Sequence, residues 1–416
     1  MRRIIVVGAG AAGLMAATIA AREGAVVHLI EKMNMIGKKM GITGKGRCNI
    51  TNNAPIEDFI AHTPGNGKFL MSAYQQFDNR DLLALLDHWK LKTKVERGGR
   101  IFPESDSALE VRDMFMRVFK SYGGTLHLNE AVKEIIVEEG HVKGVVTTRE
   151  TYYGDAVIIA TGGLSYPLTG STGDGYALTE AVGHKITDLR PSLVPLETEE
   201  KWVRDLMGLS LRNIELSVVA KNKVQAKQFG EMMFTHFGIT GPIVLSLSHT
   251  VGKLMKKKNV GGITLEINLK PALSVEQLDL RVQKDFQLYS KKQLANGLKD
   301  LLPQRLIPIV IQEAGLSGDK FINQISKEER QNLVHTLQHL TLRFKQLRPI
   351  AEAIVTSGGI SVKEFTPRTM ESKIVKGLYG AGEVMDVDAF TGGYNLQAAF
   401  SMGYVAAMHA VHGDAE

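Results

Sequence analysis

Residues 3–31 carry the tightest constraint on the fold. An apolar run from Arg3 to Gly8 leads into Gly8-Ala9-Gly10-Ala11-Ala12-Gly13, a helical stretch follows, and a second apolar run, Ala25 to Ile30, ends on Glu31. Strand, GxGxxG turn, helix, strand and terminal acid stand in the order and spacing of a dinucleotide-binding βαβ unit. Gly8 permits the tight turn, Gly10 lets a pyrophosphate approach the backbone, and Gly13 lets helix and strand pack closely. The helix N-terminus at Ala11 and Ala12 offers N–H groups and a partial positive charge to phosphates. Glu31, followed by Lys32, is placed to accept hydrogen bonds from a ribose diol. Met1-Arg2-Arg3 before an apolar run also has the look of a targeting segment, but fixed glycine spacing and the strand ending on Glu31 favour the nucleotide unit. No stretch is apolar for long enough to span a bilayer. The expectation is a soluble, cytoplasmic chain with no membrane partner.

Composition narrows the function. A length of 416 residues suggests two or three domains. The single cysteine, Cys48, excludes an intramolecular disulfide, a redox dithiol and a cysteine-rich zinc site. His335 and His339 have helical spacing, but Thr336 stands where a zinc protease needs glutamate, and no third ligand is evident, so no metal is expected. The net charge of +6 suits an anionic cofactor and substrate as well as nucleic acid. The Lys253, Lys256, Lys257, Lys258 run reads as a solvated surface loop, and the aromatic-interleaved basic motifs of single-strand readers are missing. The expected partner is a small-molecule substrate and not a nucleic acid.

Further along, Gly41–Asn52 is rich in Gly, Thr and Asn and reads as a loop that presents amides. Lys38, Lys39, Lys45 and Arg47 make it basic, which suits the far side of a pyrophosphate. Gly46, Cys48 and Asn49 lie within it. Cys48 has no base nearby in sequence and is expected as a packed small residue beside the cofactor. Residues 78–90 and 107–122 have the apolar spacing of amphipathic helices. Val132–Val137, Val142–Thr148 and Tyr152–Ile159 read as three β runs forming an antiparallel ribbon. The last ends in Ala160-Thr161-Gly162-Gly163, where a loop backbone can pass close to a dinucleotide, and Gly170–Gly175 leads into a helix.

From Pro191 the texture changes. Residues 193–270 alternate apolar and polar as in a small β domain, and Ser274 to Leu347 has helical spacing. The nucleotide fold resumes at Ala353–Ser357 and at Gly377–Glu383, which includes Gly382 and Glu383. Val384–Phe390 carries Asp386 and Asp388. Thr391-Gly392-Gly393-Tyr394-Asn395-Leu396-Gln397 then opens a small-residue helix whose N-terminus exposes amides. The predicted domains are 1–190 and 348–416 for the nucleotide fold, interrupted by a β part at 191–272 and a helical part at 273–347.

GAGAAG (Gly8–Gly13), TGKGRCNITN (Thr43–Asn52), GEMMFTHFGITGP (Gly230–Pro242), TSGGI (Thr356–Ile360), TMESK (Thr369–Lys373) and the long segment Gly377–Gly403 together resemble the YhiN-like or BaiN-like flavoprotein family. This family lies within the glutathione-reductase-type FAD fold. The resemblance implies an α/β, Rossmann-like FAD-binding domain with an antiparallel β-ribbon, interrupted by an inserted domain, part β-barrel and part helical, that covers the flavin. It implies noncovalent FAD, with Gly8–Gly13 at the pyrophosphate and Glu31 at the adenosine ribose. Lys39 and Arg47-Cys48-Asn49 should line the cofactor, and Val132 should present its backbone to adenine. Ala160, Thr161 and Gly162 should pass over the pyrophosphate, and Asp386 should meet the ribityl or phosphate region. Gly393, Asn395 and Leu396 should bring amides to the flavin pyrimidine ring.

No second complete GxGxxG exists, so NAD(P)H is expected only as a transient reductant. Arg100, His236, Arg348 and Tyr394 are polar candidates for the flavin's open face. Three readings stay open: a reductase of an activated C=C or C=O, an amine or amino-ketone oxidase using oxygen, and a flavin-bearing RNA-binding or RNA-modifying protein. No oligomeric state is assigned.

Overall fold

The computed structural model describes residues 1–257 and 261–413. They divide into two compact units, residues 1–191 with 350–416, and residues 192–349.

The first unit is built on a five-stranded parallel sheet in the order Leu378–Gly380, Ala156–Ile159, Arg3–Val7, Val26–Ile30, Thr125–His127. Its central strands are continuous β-branched runs, as expected where both faces are covered, and all four residues of Ala156–Ile159 are buried. The helix Ala11–Arg22 buries ten of its twelve residues. The closing helix Tyr394–His412 lies against it so closely that a Cβ on Gly403 would come within 2.4 Å of the Ala12 carbonyl oxygen. Gly13 is equally constrained, since a Cβ there would sit 1.8 Å from the Gly8 oxygen.

Val132–Glu138, His141–Thr147 and Thr151–Tyr153 form the antiparallel ribbon. The expected single strand Tyr152–Ile159 is two strands in two sheets. Gly154 and Asp155 separate them, and Asp155 is hooked to Arg3, whose N–H donates to its carboxylate at 2.8 Å. Residues 41–52 are also more structured than a loop. They hold the end of a short helix, Lys38–Ile42, a 3-10 turn, Thr43–Lys45, and a two-residue strand, Thr51–Asn52, paired with Ile101 and Arg100.

The second unit is a closed six-stranded barrel in the order Leu196–Thr198, Gly238–Thr240, Lys223–Phe234, Ser210–Ala220, Ile263–Asn268, Leu340–Leu347. Two expectations are corrected here. The β region 193–270 contains a fourteen-residue helix, Pro242–Met255, with proline in its first turn and Ile243, Val244, Leu247, Val251 and Leu254 on its buried side. The helical region 274–347 ends in a strand. Leu340 and Leu342 are buried while Thr341 and Arg343 are exposed, which is the two-residue period of a strand, and pairing of Leu340–Leu347 with Leu196–Thr198 closes the barrel. Helices Val275–Leu288 and Lys327–Gln338 start at capping boxes, Ser274 with Gln277 and Ser326 with Glu329. Lys253 lies in the last turn of Pro242–Met255, with Lys256 as its cap, instead of in a loop; Lys258 lies outside the described residues. Among the described residues no helix is long and apolar enough to cross a membrane.

Candidate functional site

A cavity in the first unit opens at the carboxyl ends of the parallel strands, the place where open α/β sheets receive ligands. Gly8, with φ +98°, turns the chain out of the first strand; a Cβ there would meet the Ala160 oxygen at 2.6 Å. Gly10 faces open space, with no atom within 4 Å of a Cβ position. The first helical hydrogen bond runs from Leu14 N–H to Gly10 O, so the N–H groups of Ala11, Ala12 and Gly13 stand outside the helical ladder. Ala11 and Ala12 line the cavity; Gly13 packs beneath the turn.

Glu31 also lines the cavity. Its two oxygens accept from the N–H groups of Ala9 and Met33, each at 2.8 Å, which orients the carboxylate and leaves each oxygen a lone pair for a further donor. Lys32 donates to Asp174 at 2.6 Å and to Thr172. Burial opposes ionisation of Asp174, but its bonds to Lys32 and Thr172 outweigh this and hold the carboxyl below its ordinary value. On another wall Lys39 pairs with Glu383 and Ser165. Glu383 also accepts from Thr356 N–H at 2.8 Å and Ser165 Oγ at 2.7 Å. Val132, Ala160, Thr161, Gly162 and Gly382 complete the lining drawn from the expected residues. The Thr161 hydroxyl is buried with no hydrogen-bond partner, a state that asks for one.

A second helix N-terminus meets the same cavity. Gly393, at φ +99°, caps Tyr394–His412, and a Cβ there would lie 2.3 Å from the Thr51 oxygen. The ladder begins with Gln397 N–H to Gly393 O, leaving the N–H groups of Tyr394, Asn395 and Leu396 outside it. Asn395 and Leu396 line the cavity, while Gly393 does not. The Asn395 side chain is a clasp: its amide nitrogen donates to Ala389 O at 2.7 Å and Phe390 O at 3.1 Å, and its oxygen accepts from Ala389 N–H at 2.9 Å.

Several expected residues stand away from the cavity. Gly46, Arg47, Cys48 and Asn49 do not line it. The Gly46 carbonyl accepts from Ala108 N–H at 3.0 Å. Arg47 turns to Glu96 at 2.8 Å and Asp106 at 3.3 Å and covers the Phe102 ring. Cys48 is fully buried, and burial pushes its thiol up to about 12 against a hydrogen bond from Thr43 that acts the other way. Asn49 spans Ile101 O, Thr51 O and Gly393 N–H at 3.0–3.2 Å, so it braces the cap of the closing helix from behind. Asp386 is also off the lining; Glu383 and Val387 occupy that wall. Burial raises the Asp386 carboxyl above its ordinary value, with Thr187 and Asn66 opposing.

The four candidates for substrate contact do not line the cavity either. Arg100 bonds the Arg97 carbonyl and lies 3.9 Å from Glu96. Tyr394 is buried, stacked on His62 at 4.3 Å and in a T-shaped contact with Phe59 at 5.0 Å. His236 and Arg348 belong to the second unit. There the Phe237 ring lies against His236 and beneath the Arg348 guanidinium, which pairs with Glu197 at 2.6 Å. His335 and His339 stack at 4.8 Å, and among the described residues no cluster of three potential metal ligands exists.

Sequence reasoning passed over Glu130, Ala131, Met40, Gly170, Ser171 and Asp174 as lining residues. The small-residue run Gly170–Gly175 before a helix carried a usable signal. Asp174 did not, because its partner Lys32 is 142 positions away.

The family described as HI0933-like protein Rossmann domain matches residues 2–409. The ribosomal RNA dihydrouridine synthase of Haemophilus influenzae is 32% identical over 410 residues, covering 97% of each chain. The 3-dehydro-bile acid delta(4,6)-reductase of Clostridium scindens is 29% identical and covers 98% of each. Among solved structures, 3-ketosteroid delta1-dehydrogenase from Sterolibacterium denitrificans, in complex with 1,4-androstadiene-3,17-dione, aligns with a TM-score of 0.54 at 14% identity, over 99% of this chain and 100% of its own. That last likeness is one of fold.

Proposed function

The chain belongs to the HI0933-like Rossmann-domain family and is an FAD-dependent oxidoreductase, and from that premise we propose that it reduces a C=C bond conjugated to a carbonyl, with NAD(P)H as the transient hydride source. The observation that carries the reading is one cavity faced by two helix N-termini and a ribose-type carboxylate, Glu31. The residues present fit FAD: Gly10 leaves room for a phosphate at the first helix end, and Glu31 lines the same cavity with a carboxylate held in place by two backbone N–H groups.

Ala11 and Ala12 N–H groups would hold the pyrophosphate, Glu31 the ribose, and Val132 the adenine. Lys39 and Glu383, paired, set the charge of the wall near the closing helix. Asn395 and Leu396 N–H groups would stabilise negative charge at the pyrimidine edge, a fixed dipole that needs no proton transfer. FAD, when bound, supplies the hydride chemistry, and the protein supplies position and electrostatics.

The substrate class is supported by chemistry shared between two relatives. Dihydrouridine is uridine whose C5=C6 bond, conjugated to the C4 carbonyl, has been saturated; a 3-dehydro delta(4,6) bile acid is a conjugated dienone. Both reductions place hydride on a carbon made electrophilic by a conjugated carbonyl. A uracil ring and a steroid enone are therefore alternatives within one reaction type.

Anaerobic stopped-flow tests this. NADH or NADPH should bleach the yellow protein, and a 3-oxo-Δ4 steroid or uridine-containing RNA should restore the colour without air. Bleaching by an amine and recovery only with oxygen would make the protein an oxidase. A colourless protein that takes up no added FAD would remove the flavin reading altogether.

A further inference from the structure

Four chain segments converge behind the wall that Lys39 and Glu383 share. Glu383 follows Gly382, where a Cβ would lie 2.8 Å from the Ala12 Cβ and 3.9 Å from that of Ala399, so this stretch passes between the starts of the two helices that face the cavity. Oε1 of Glu383 accepts from two neutral donors, Thr356 N–H at 2.8 Å and Ser165 Oγ at 2.7 Å. Oε2 accepts from the Lys39 ammonium, which also donates to Ser165 Oγ. The Thr356 hydroxyl in turn accepts from Leu164 N–H at 2.8 Å and Ser165 N–H at 3.2 Å, which fixes the backbone that carries Ser165. Gly163 leaves the room for this arrangement: a Cβ there would come within 2.4 Å of Thr356 Oγ1 and 2.9 Å of Glu383 Oε1.

The inner and outer members of this cluster differ. Ser165 and Thr356 are fully buried, and neither lines the cavity, whereas Lys39 and Glu383 both line it. Both lone pairs of Oε1 are used and one of Oε2, so the carboxylate keeps a single lone pair and the ammonium a single donor. A lysine on its flexible four-carbon stem samples many rotamers when nothing holds its head. Here the Ser165 hydroxyl stands between the two charges, donating to the carboxylate and accepting from the ammonium. The ammonium is thereby fixed beside the cavity before any ligand arrives, and charge that is already in place acts on a reaction without reorganising.

We propose that Ser165 and Thr356 are positioning residues of the cofactor site, which act on the reduction potential of FAD through Lys39 without touching the cofactor. The proposal rests on the FAD reading of the cavity and concerns residues which that reading leaves unassigned. Positive charge fixed beside the cavity favours the two-electron-reduced flavin, which carries more negative charge. Loss of the Ser165 hydroxyl takes one of two acceptors from the ammonium and one of three donors from the carboxylate. The fixed positive charge then weakens, and the potential falls. A hydroxyl with a structural role alone would lower the stability of the fold and leave the potential unchanged.

The test uses the full chain loaded with FAD, reduced anaerobically beside a reference dye of known potential. Ser165→Ala should change the ratio of the affinities for oxidised and reduced FAD about three- to tenfold, which is a potential lower by roughly 15–30 mV at about 30 mV per tenfold for two electrons. Lys39→Met should lower the potential at least as far. Adding Ser165→Ala to Lys39→Met should lower it no further, the non-additivity of a residue that acts through another. Thr356→Val should shift the potential in the same direction as Ser165→Ala, and Thr356→Ser, which keeps the hydroxyl, should restore it. If Thr356→Val does not fold, Ser165→Ala and the double variant decide the matter. A wild-type potential in folded, FAD-loaded Ser165→Ala overturns the proposal, as does an undiminished further drop in the Lys39→Met background. If Lys39→Met keeps the wild-type potential, the proposal falls and the protein remains a flavoprotein. A wild-type chain that takes up no FAD removes the reading of the cavity and the proposal with it.

Discussion

Cys48 shows how burial, and not residue type, sets chemistry at the residue scale. Its thiol is inaccessible and its ionisation is pushed up to about 12 by burial. A thiol kept protonated by burial and out of reach of solvent is no nucleophile. A disulfide reagent should leave the native protein unlabelled and should titrate one thiol after denaturation; rapid labelling of the native chain would contradict the buried placement. The neighbouring residues mark a limit of local reading. Gly-Lys-Gly-Arg-Cys-Asn announces a loop that presents amides, and the basic residues within it suggest a phosphate. Arg47 instead spends its guanidinium on Glu96 and Asp106, 49 and 59 positions away. Nothing in the loop itself encodes those partners.

The closing helix is the informative element. Its Gly392-Gly393 entry and small-residue face are local features, and they place a helix start at Tyr394. The clasp made by the Asn395 side chain on Ala389 and Phe390 is a tertiary feature, and every substitution of Asn395 removes it. Asn395→Pro removes the clasp together with one N–H, so Asn395→Ala, which removes the clasp alone, must accompany it. Losing one charge-assisted hydrogen bond costs on the order of 1.5–3 kcal/mol. At ~1.4 kcal/mol per 30 mV, the proline variant should have a two-electron flavin potential roughly 30–65 mV below that of the alanine variant. Proline is best tolerated in a first helical turn, so the helix should persist. Equal potentials in two folded, FAD-loaded variants would show that this helix end is not the electrostatic partner of the flavin. The strand Leu340–Leu347 teaches the converse. Its period of two is visible only over Leu340, Leu342 and Phe344, the preceding helices Val275–Leu288 and Lys327–Gln338 dominate any longer window, and only closure of the barrel reveals which pattern governs.

At the scale of the whole molecule, one buried and one half-buried histidine couple stability to pH. His184 is buried between Glu364 at 3.1 Å and Ser372 at 3.0 Å. Burial lowers its pKa, with Glu364 working against the shift. His28, 3.0 Å from His127, is lowered by burial and by that neighbour. An unfolded chain binds protons at these positions below the ordinary value of about 6.5, where the folded protein still resists them. Stability is therefore fully present above about 6.5 and falls as pH drops toward the lowered folded values. The denaturant midpoint should decrease between pH 7.5 and 5.5, and His184→Gln should flatten part of that decrease. A midpoint that rises on acidification over this range would show that the histidines are not held neutral.

The sequence by itself determined the βαβ nucleotide unit, the α/β class and the flavoprotein family, because these rest on short-range requirements. A turn that admits no Cβ must be glycine, a buried parallel strand must be continuously apolar, and a carboxylate at a strand end stands at a set distance from the turn. The family resemblance set both helix N-termini against one cofactor, and the tertiary structure brings them to one cavity across most of the chain. Tertiary structure alone paired Lys39 with Glu383 across 344 positions and Lys32 with Asp174 across 142, and it turned Arg47 away from the cavity. Ion pairs and shared faces depend on which elements meet, and that is set by global packing and strand pairing that local spacing does not carry.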